Sequence, residues 1–307
     1  MDKPWVGSDT WQVVSKKKST KKSSCRREDS ACKAAGSEQP HHLYAAQDCT
    51  DAVKRINRTM TDLRMSDFWD SCQGCLLRCQ DISAVTSDDG SIEELVKNMN
   101  LEGSIATCIS FQHCDCVCYG LGNFTSCLTS RHQMAFLLLF LERFKIPRHQ
   151  CYVFDPVFSP LELAVLKELG LTVVLENEEG KRSVCKPTVF YMLHCGKALY
   201  NNLLWRNWSC EALAQTVIIG NSFRGMEERL VSRVLQRDYT YIYKSLQIVE
   251  EMTFPESDRY SDIFNDTSIH RFPIAKLKSL TKETWQPQDE PQYQDCDDLE
   301  IILSPRR

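Results

Sequence analysis

From residue 114 to about residue 237 the chain repeats one unit: a short apolar run, a small or polar break, then a stretch with helical spacing. The apolar runs fall at 114–119, 151–154, 171–175, 188–193 and 216–219, and they are rich in β-branched or aromatic residues. Such runs lack polar alternation because strands covered on both faces have no solvent side. Between them the spacing predicts helices at about 126–145, 160–169, 197–206 and 225–237. Strands alternating with crossover helices give right-handed units and a parallel sheet. The chain is therefore expected to form an α/β fold: an open, mainly parallel Rossmann-like sheet of order about 3-2-1-4-5.

Local signals sharpen this reading. Ser159, Pro160 and Glu162 form a capping box with proline at the first helical position, and Gly170 ends that helix. Residues 134–141 are apolar on every side, so the helix at 126–145 must be deeply buried. Upstream, Leu63, Phe68, Trp69, Cys72, Cys75, Leu76 and Cys79 recur at steps of three and four, which predicts a helical extension. Four regions are expected: a basic disordered tail at 1–44, the helical extension at 45–104, the α/β domain at 105–280, and an acidic disordered tail at 281–307. The ends carry opposite charge, nine Lys/Arg against five Asp/Glu in 1–40 and three against seven in 281–307. The Ser/Lys-rich run at 16–27 reads as a solvated tail, with a nuclear-localisation or acidic-partner segment as the sharper alternative.

Several classes are excluded. A net charge of −4 does not suit binding of nucleic acid through bulk electrostatics, and direct DNA binding is not expected. The longest apolar run is the eight residues 134–141, against about 18 needed to cross a membrane. The first residues lack the apolar core of a secretory leader, so the expected setting is cytoplasmic, extending to the nucleus. The 16 cysteines of the 307 residues should then be reduced thiols, not a disulfide framework.

In an open α/β sheet ligands lie beyond the C-terminal strand ends, at the switch in strand order. Four predicted ends are small or polar there: Gly120, Gly122 and Asn123; Asp155; His194 and Cys195; and Gly220, Asn221 and Ser222. These nine are the candidate ligand-binding residues. Gly120 and Gly122 suit a tight turn approaching a ligand, and Asp155 could hold a ribose. The dinucleotide fingerprint is incomplete, because its third glycine is Thr125 and Asp155 lies 33 residues after Gly122 against about 20. His194 next to Cys195 invites a nucleophile, yet adjacent residues rarely bring ring and thiol together, and the reading as a polar strand-end loop is favoured. No catalytic residue is assigned.

The cysteine motifs point to packing. Cys72, Cys75 and Cys79 share one helix face with no second pair to complete a zinc site. Cys114, Cys116 and Cys118 share one strand face, in a row that suits packing under a helix, not a tetrahedron. No metal site is expected, and direct haem ligation has no motif behind it.

The runs CYGLGNF at 118–124, VFDPVFSPLE at 153–162, LG at 169–170, FYMLHC at 190–195, NNLLWRNW at 201–208, IGNSF at 219–223 and FNDTSIHRFP at 264–273 together resemble the SRR-like family, named for reduced sensitivity to red light in plants. The resemblance covers roughly 105–275. It departs at Leu193, where the family commonly has proline before His-Cys. It implies a regulatory role in light signalling, circadian clock gene expression and control of haem biosynthesis, and it implies no reaction. Two functions follow: a regulator acting through protein partners, or a Rossmann-like enzyme or sensor of a nucleotide-like molecule such as S-adenosylmethionine. No cofactor is required by the sequence; an adenosyl-type ligand and haem stay open.

Overall fold

The computed structural model describes residues 40–81, 111–286, 289–293 and 301–303, with side chains described from residue 46 in the first span. Residues 1–39 of the predicted basic tail and much of the segment joining the helical extension to the α/β domain lie outside the described residues, while residues 40–44 open the first helix.

Two helices come first, α1 (Pro40–Arg64) and α2 (Asp67–Asp81). The α/β region follows as β1 (Asp115–Tyr119), α3 (Leu128–Phe144), β2 (Cys151–Phe154), α4 (Pro160–Glu168), β3 (Thr172–Val173), β4 (Thr188–Met192) and α5 (Lys197–Arg206). After it run α6 (Cys210–Ala214), β5 (Thr216–Asn221), α7 (Phe223–Arg229), α8 (Ser232–Asp238), α9 (Thr240–Ser245) and β6 (Glu250–Thr253). The last elements are α10 (Ser261–Phe264), β7 (Thr267–Arg271) and α11 (Ile274–Lys278).

The strands form one sheet of order 3-2-1-4-5-7-6. Its first five strands are parallel, in the order read from the sequence. The sheet then continues through β7 and β6, both antiparallel to their neighbours, which the sequence reading did not foresee. Two further details differ. The third strand is only two residues long, and the helix expected at 225–237 is two helices broken around Leu230, where the backbone is extended.

Period-2 alternation divides the core between the faces. On β1, β4 and β5, residues Cys116, Cys118, Val189, Tyr191, Val217 and Ile219 point to one side, packed with α1, α2, α3 and α4. Val117, Tyr119, Phe190, Met192 and Ile218 point to the other, under α5, α7 and α9. The helix that is apolar all round, α3, is buried over Gln133–Leu141, between the sheet and the α1–α2 pair. Trp69 of α2 meets Phe136 of α3 edge to face, with ring centroids 5.2 Å apart. Lys145 stops α3 by adopting the left-handed conformation, its N–H returning to Leu141 and Glu142. The α4 capping box forms as read: Glu162 accepts from the Ser159 N–H at 3.0 Å while the Ser159 hydroxyl accepts from the Glu162 N–H. Glu162 also takes the hydroxyl of Thr125, and it is nearly fully buried. Burial works against its charge, but these donors outweigh it and hold the carboxyl below its usual range.

Most of the described cysteines behave as core residues. Cys72, Cys75 and Cys79 on α2 and Cys114, Cys116, Cys118 and Cys151 in and around the sheet are all buried in one cluster. Burial raises the Cys114 thiol to about 12 and the Cys79 thiol to about 11.

Candidate functional site

The chain passes β1 to β2 to β3 in one direction and then turns back through β4 and β5, so the switch in order lies between β1 and β4. A crevice of about 220 Å³ opens there, lined by Tyr119, Gly120, Asp155, His194, Cys195 and Leu199 among others. Four of the nine candidates therefore meet in one place: Gly120, Asp155, His194 and Cys195.

The strand-end loops are clamped to one another. Asp155 accepts the Gly122 N–H on one carboxylate oxygen at 2.7 Å and the Val157 N–H on the other at 3.0 Å. Asn123 donates to the Val157 carbonyl at 3.0 Å. The Gly122 and Asn123 bonds tie the loop after β1 to the loop after β2, and the Val157 bond shapes the latter. On the other side, the Asn221 side-chain carbonyl accepts the His194 N–H at 2.8 Å and its amide donates to the Cys195 carbonyl at 3.3 Å. The loop after β4 is thus held to the end of β5. The Cys195 thiol donates to the Tyr119 carbonyl at 3.3 Å, which closes the gap between β1 and β4.

Two glycines are explained by this packing. Gly120 has φ +71°, and a Cβ there would lie 2.5 Å from the Cys195 sulfur. Gly220 lies under Tyr200, whose hydroxyl donates to the Met192 carbonyl and accepts the Asn221 N–H at 2.8 Å. His194 is held at φ +54° and its Nε2 sits 3.1 Å from the Ile263 carbonyl, a contact that fixes the proton on Nε2. The ring and the Cys195 thiol thus have separate partners, and no nucleophile–base hydrogen bond joins them. Ser222 caps α7 by accepting the Gly225 N–H at 2.8 Å and donates its own proton to Glu251. It lines a different, larger cleft of about 920 Å³ beside β6 and β7.

Charge decides what the crevice could hold. None of its lining residues is Lys or Arg, and its one carboxylate is Asp155. The helix that follows β1 begins only at Leu128, so its N-terminal N–H groups do not follow directly on the glycine turn. Among the described residues a phosphate would find no Lys or Arg here. An adenosyl ligand without phosphate fits the charge better, but 220 Å³ is below the roughly 300–1,000 Å³ of ordinary small-molecule sites. Among the described residues no group of three or more His, Cys, Asp or Glu could hold a metal ion, and no helix is long and apolar enough to cross a membrane.

Several lining residues were not picked out from the sequence. Tyr119, the last residue of β1, donates its hydroxyl to Glu178, and burial pushes its pKa well up. Its place at a strand end was the available signal. Asn177 and Gly180 come from the turn after β3, and Ile301 and Ile302 from far down the chain. Nothing local to these last two marks them as neighbours of β1.

The sequence has counterparts among known proteins. The family model for the SRR1 domain matches residues 94–271. A mouse protein described as SRR1-like is 50% identical over 199 residues, which is 62% of this chain and 79% of the mouse protein. The Arabidopsis protein named SENSITIVITY TO RED LIGHT REDUCED 1 is 35% identical over 158 residues, 51% of this chain and 58% of that protein. A Drosophila SRR1-like protein is 31% identical over 169 residues, 55% of this chain and 59% of the fly protein. The match thus spans less than two thirds of the plant and fly relatives. The strand-end residues described above, from Gly120 to Ser222, all fall inside the family match, and the chain belongs to the SRR1-domain family.

Proposed function

We propose that the chain is a regulatory protein of this family that works through protein partners, with the α/β domain as a rigid scaffold and not as a catalyst. The observation that carries this reading is the internal use of the strand-end polar groups. Asp155, Asn123 and Asn221 spend their hydrogen bonds on neighbouring loops, Ser222 spends its own on its helix and Glu251, and among the described residues no Lys or Arg lines the crevice. An enzyme would present such groups to a substrate. The name of the Arabidopsis relative speaks of red light, which supports a role in light-linked control. The wider family resemblance extends that role to circadian clock gene expression and haem biosynthesis, acting in the cytoplasm and nucleus. The test is affinity capture of a defined partner with the wild-type chain and with Asp155→Asn and Asn221→Ala. Capture that survives both substitutions supports the reading. A small-molecule turnover that depends on either residue would overturn it.

A second reading keeps the crevice as a sensor site for an adenosyl-type molecule such as S-adenosylmethionine. It is favoured by the convergence of Gly120, Asp155 and His194 at the switch point. Titration calorimetry with S-adenosylmethionine, S-adenosylhomocysteine, nucleotides and haem checks it, and no heat with any of them would end it.

A further inference from the structure

Two pieces of the acidic C-terminal stretch lie on the α/β domain. Tyr293 is buried: its hydroxyl donates to the Asn202 side chain at 2.8 Å and accepts from the Asn201 amide at 2.9 Å, and its ring stacks 6.1 Å from Tyr239. Beside it Lys181 bridges Glu179 and Glu290, each at 2.5 Å. Further on, Ile301 and Ile302 line the switch-point crevice opposite Gly120 and Cys195. The Asn177 amide holds this piece by donating to the Ile302 carbonyl at 2.6 Å. Ile301 packs against the core cluster that contains Tyr119 and Cys195, whereas Ile302 stays 58% exposed.

We infer that residues 301–303 form an intramolecular strap over the switch-point crevice, closed by Ile301 and tethered through the chain to the buried Tyr293, which an extended partner peptide entering the crevice must displace. The chemistry of the strap says what the crevice accepts. It takes a β-branched apolar side chain against Tyr119 and Leu199, and it offers the Asn177 amide to a backbone carbonyl. That is the pattern of an extended peptide, and a competing partner would carry the same one: an apolar β-branched residue followed by a backbone carbonyl that takes the Asn177 amide. The strap also accounts for the small volume of a crevice placed where this fold class usually binds ligands.

Cys195 reports on the strap without any knowledge of the ligand. It is only 6% exposed and lies in the crevice, while Cys118 is fully buried on the opposite face of the sheet. The full-length chain and its Ile301→Asp and Tyr293→Ala variants are exposed to N-ethylmaleimide, and each thiol is followed by peptide mass spectrometry. Labelling of Cys195 should quicken by about five- to thirtyfold in both variants, the change in an open-to-closed ratio that losing one or two kcal/mol of contact produces. Cys118 should stay unlabelled, and Ile301→Val should keep wild-type protection. Unchanged Cys195 labelling in both variants overturns the strap. So does labelling of Cys195 and Cys118 together, because the segment would then be part of the core and not separable from it. The readout is thiol protection, so it stands or falls apart from the regulatory reading, which is judged by partner capture.

Discussion

Replacing Gly220 with alanine isolates why a glycine stands at the end of β5. Gly220 was a candidate ligand contact because small residues at strand ends let a ligand approach. The structure offers a different neighbour. A Cβ at 220 would lie 2.5 Å from the Tyr200 hydroxyl, 2.9 Å from its ring and 2.9 Å from the Met192 carbonyl. All three distances are too short, and none of the partners can move freely. Tyr200 is fully buried, and the carbonyl belongs to the neighbouring strand β4, which pairs Met192 with Gly220. Overpacking of this kind costs about 1–3 kcal/mol. If Tyr200 is pushed aside, its bonds to Met192 and to the Asn221 N–H are lost as well, at about 0.5–1.5 kcal/mol each. Gly220→Ala should therefore lose about 2–6 kcal/mol, read as a lower urea midpoint with an unchanged slope. The double variant Gly220→Ala, Tyr200→Phe should recover part of this, since the hydroxyl makes the closest contact. The rest should persist because of the ring and the carbonyl. A Gly220→Ala protein within about 0.5 kcal/mol of wild type, the ordinary scatter of harmless substitutions, would refute the packing argument and return Gly220 to the ligand side.

Further outcomes can be checked in the same preparations. Ser159→Ala removes the N-cap of α4 and should cost about 1 kcal/mol; Glu162→Ala, which also strips the partner of Thr125, should cost more, both by urea denaturation. His270 is fully buried; burial drives its pKa below the ordinary imidazole value, against the pull of Glu251 3.7 Å away. The neutral ring agrees with the geometry, since Nε2 accepts the Phe223 N–H and Nδ1 faces the Ile218 carbonyl. Below pH about 6.5 the unfolded chain takes up a proton that the folded ring refuses. Stability should then fall as the pH drops from about 6.5 toward the folded value, at up to about 1.4 kcal/mol per pH unit, and His270→Gln should lose that component of the slope. Among the described cysteines Cys127 should be alkylated early: it is exposed, and hydrogen bonding from the Ser130 backbone and hydroxyl lowers its pKa. Timed alkylation with peptide mapping should rank it ahead of the buried Cys72 and Cys116, whose thiols are raised by burial and, for Cys116, first by the bond to Cys151.

The parallel half of the sheet was legible because its strands are apolar on both faces, and no helix of the same composition fits in so few residues. The antiparallel half was not, since β6 reads Glu-Glu-Met-Thr and β7 carries Ser268 and His270. Ser268, His270 and the Glu251 side chain are buried in the folded chain, and His270 and Glu251 are satisfied by the start of α7 and by β5, contacts that no local pattern encodes. The break between α7 and α8 has neither glycine nor proline to announce it. At the candidate site the rule of strand ends located the loops correctly. What it could not tell is whether Asp155 and Asn221 face a ligand or each other's loops, because the atoms they bond come from other strand ends.

The burial of α3 beneath α1 and α2 has a consequence for where this family's unit of folding begins. The match to the SRR1 domain starts at residue 94, after both helices. Yet Leu63, Trp69 and Leu76 share one continuous core with Phe136, Phe140 and the sheet. A boundary drawn by sequence likeness therefore cuts through an oil drop. A fragment starting at residue 94 would present to water the apolar flank of α3 that α1 and α2 otherwise cover, an adhesive surface of the kind that drives aggregation. Selection on the two leading helices is then selection for concealment: any sequence that hides that flank will serve, and relatives can diverge there while the sheet beneath stays the same.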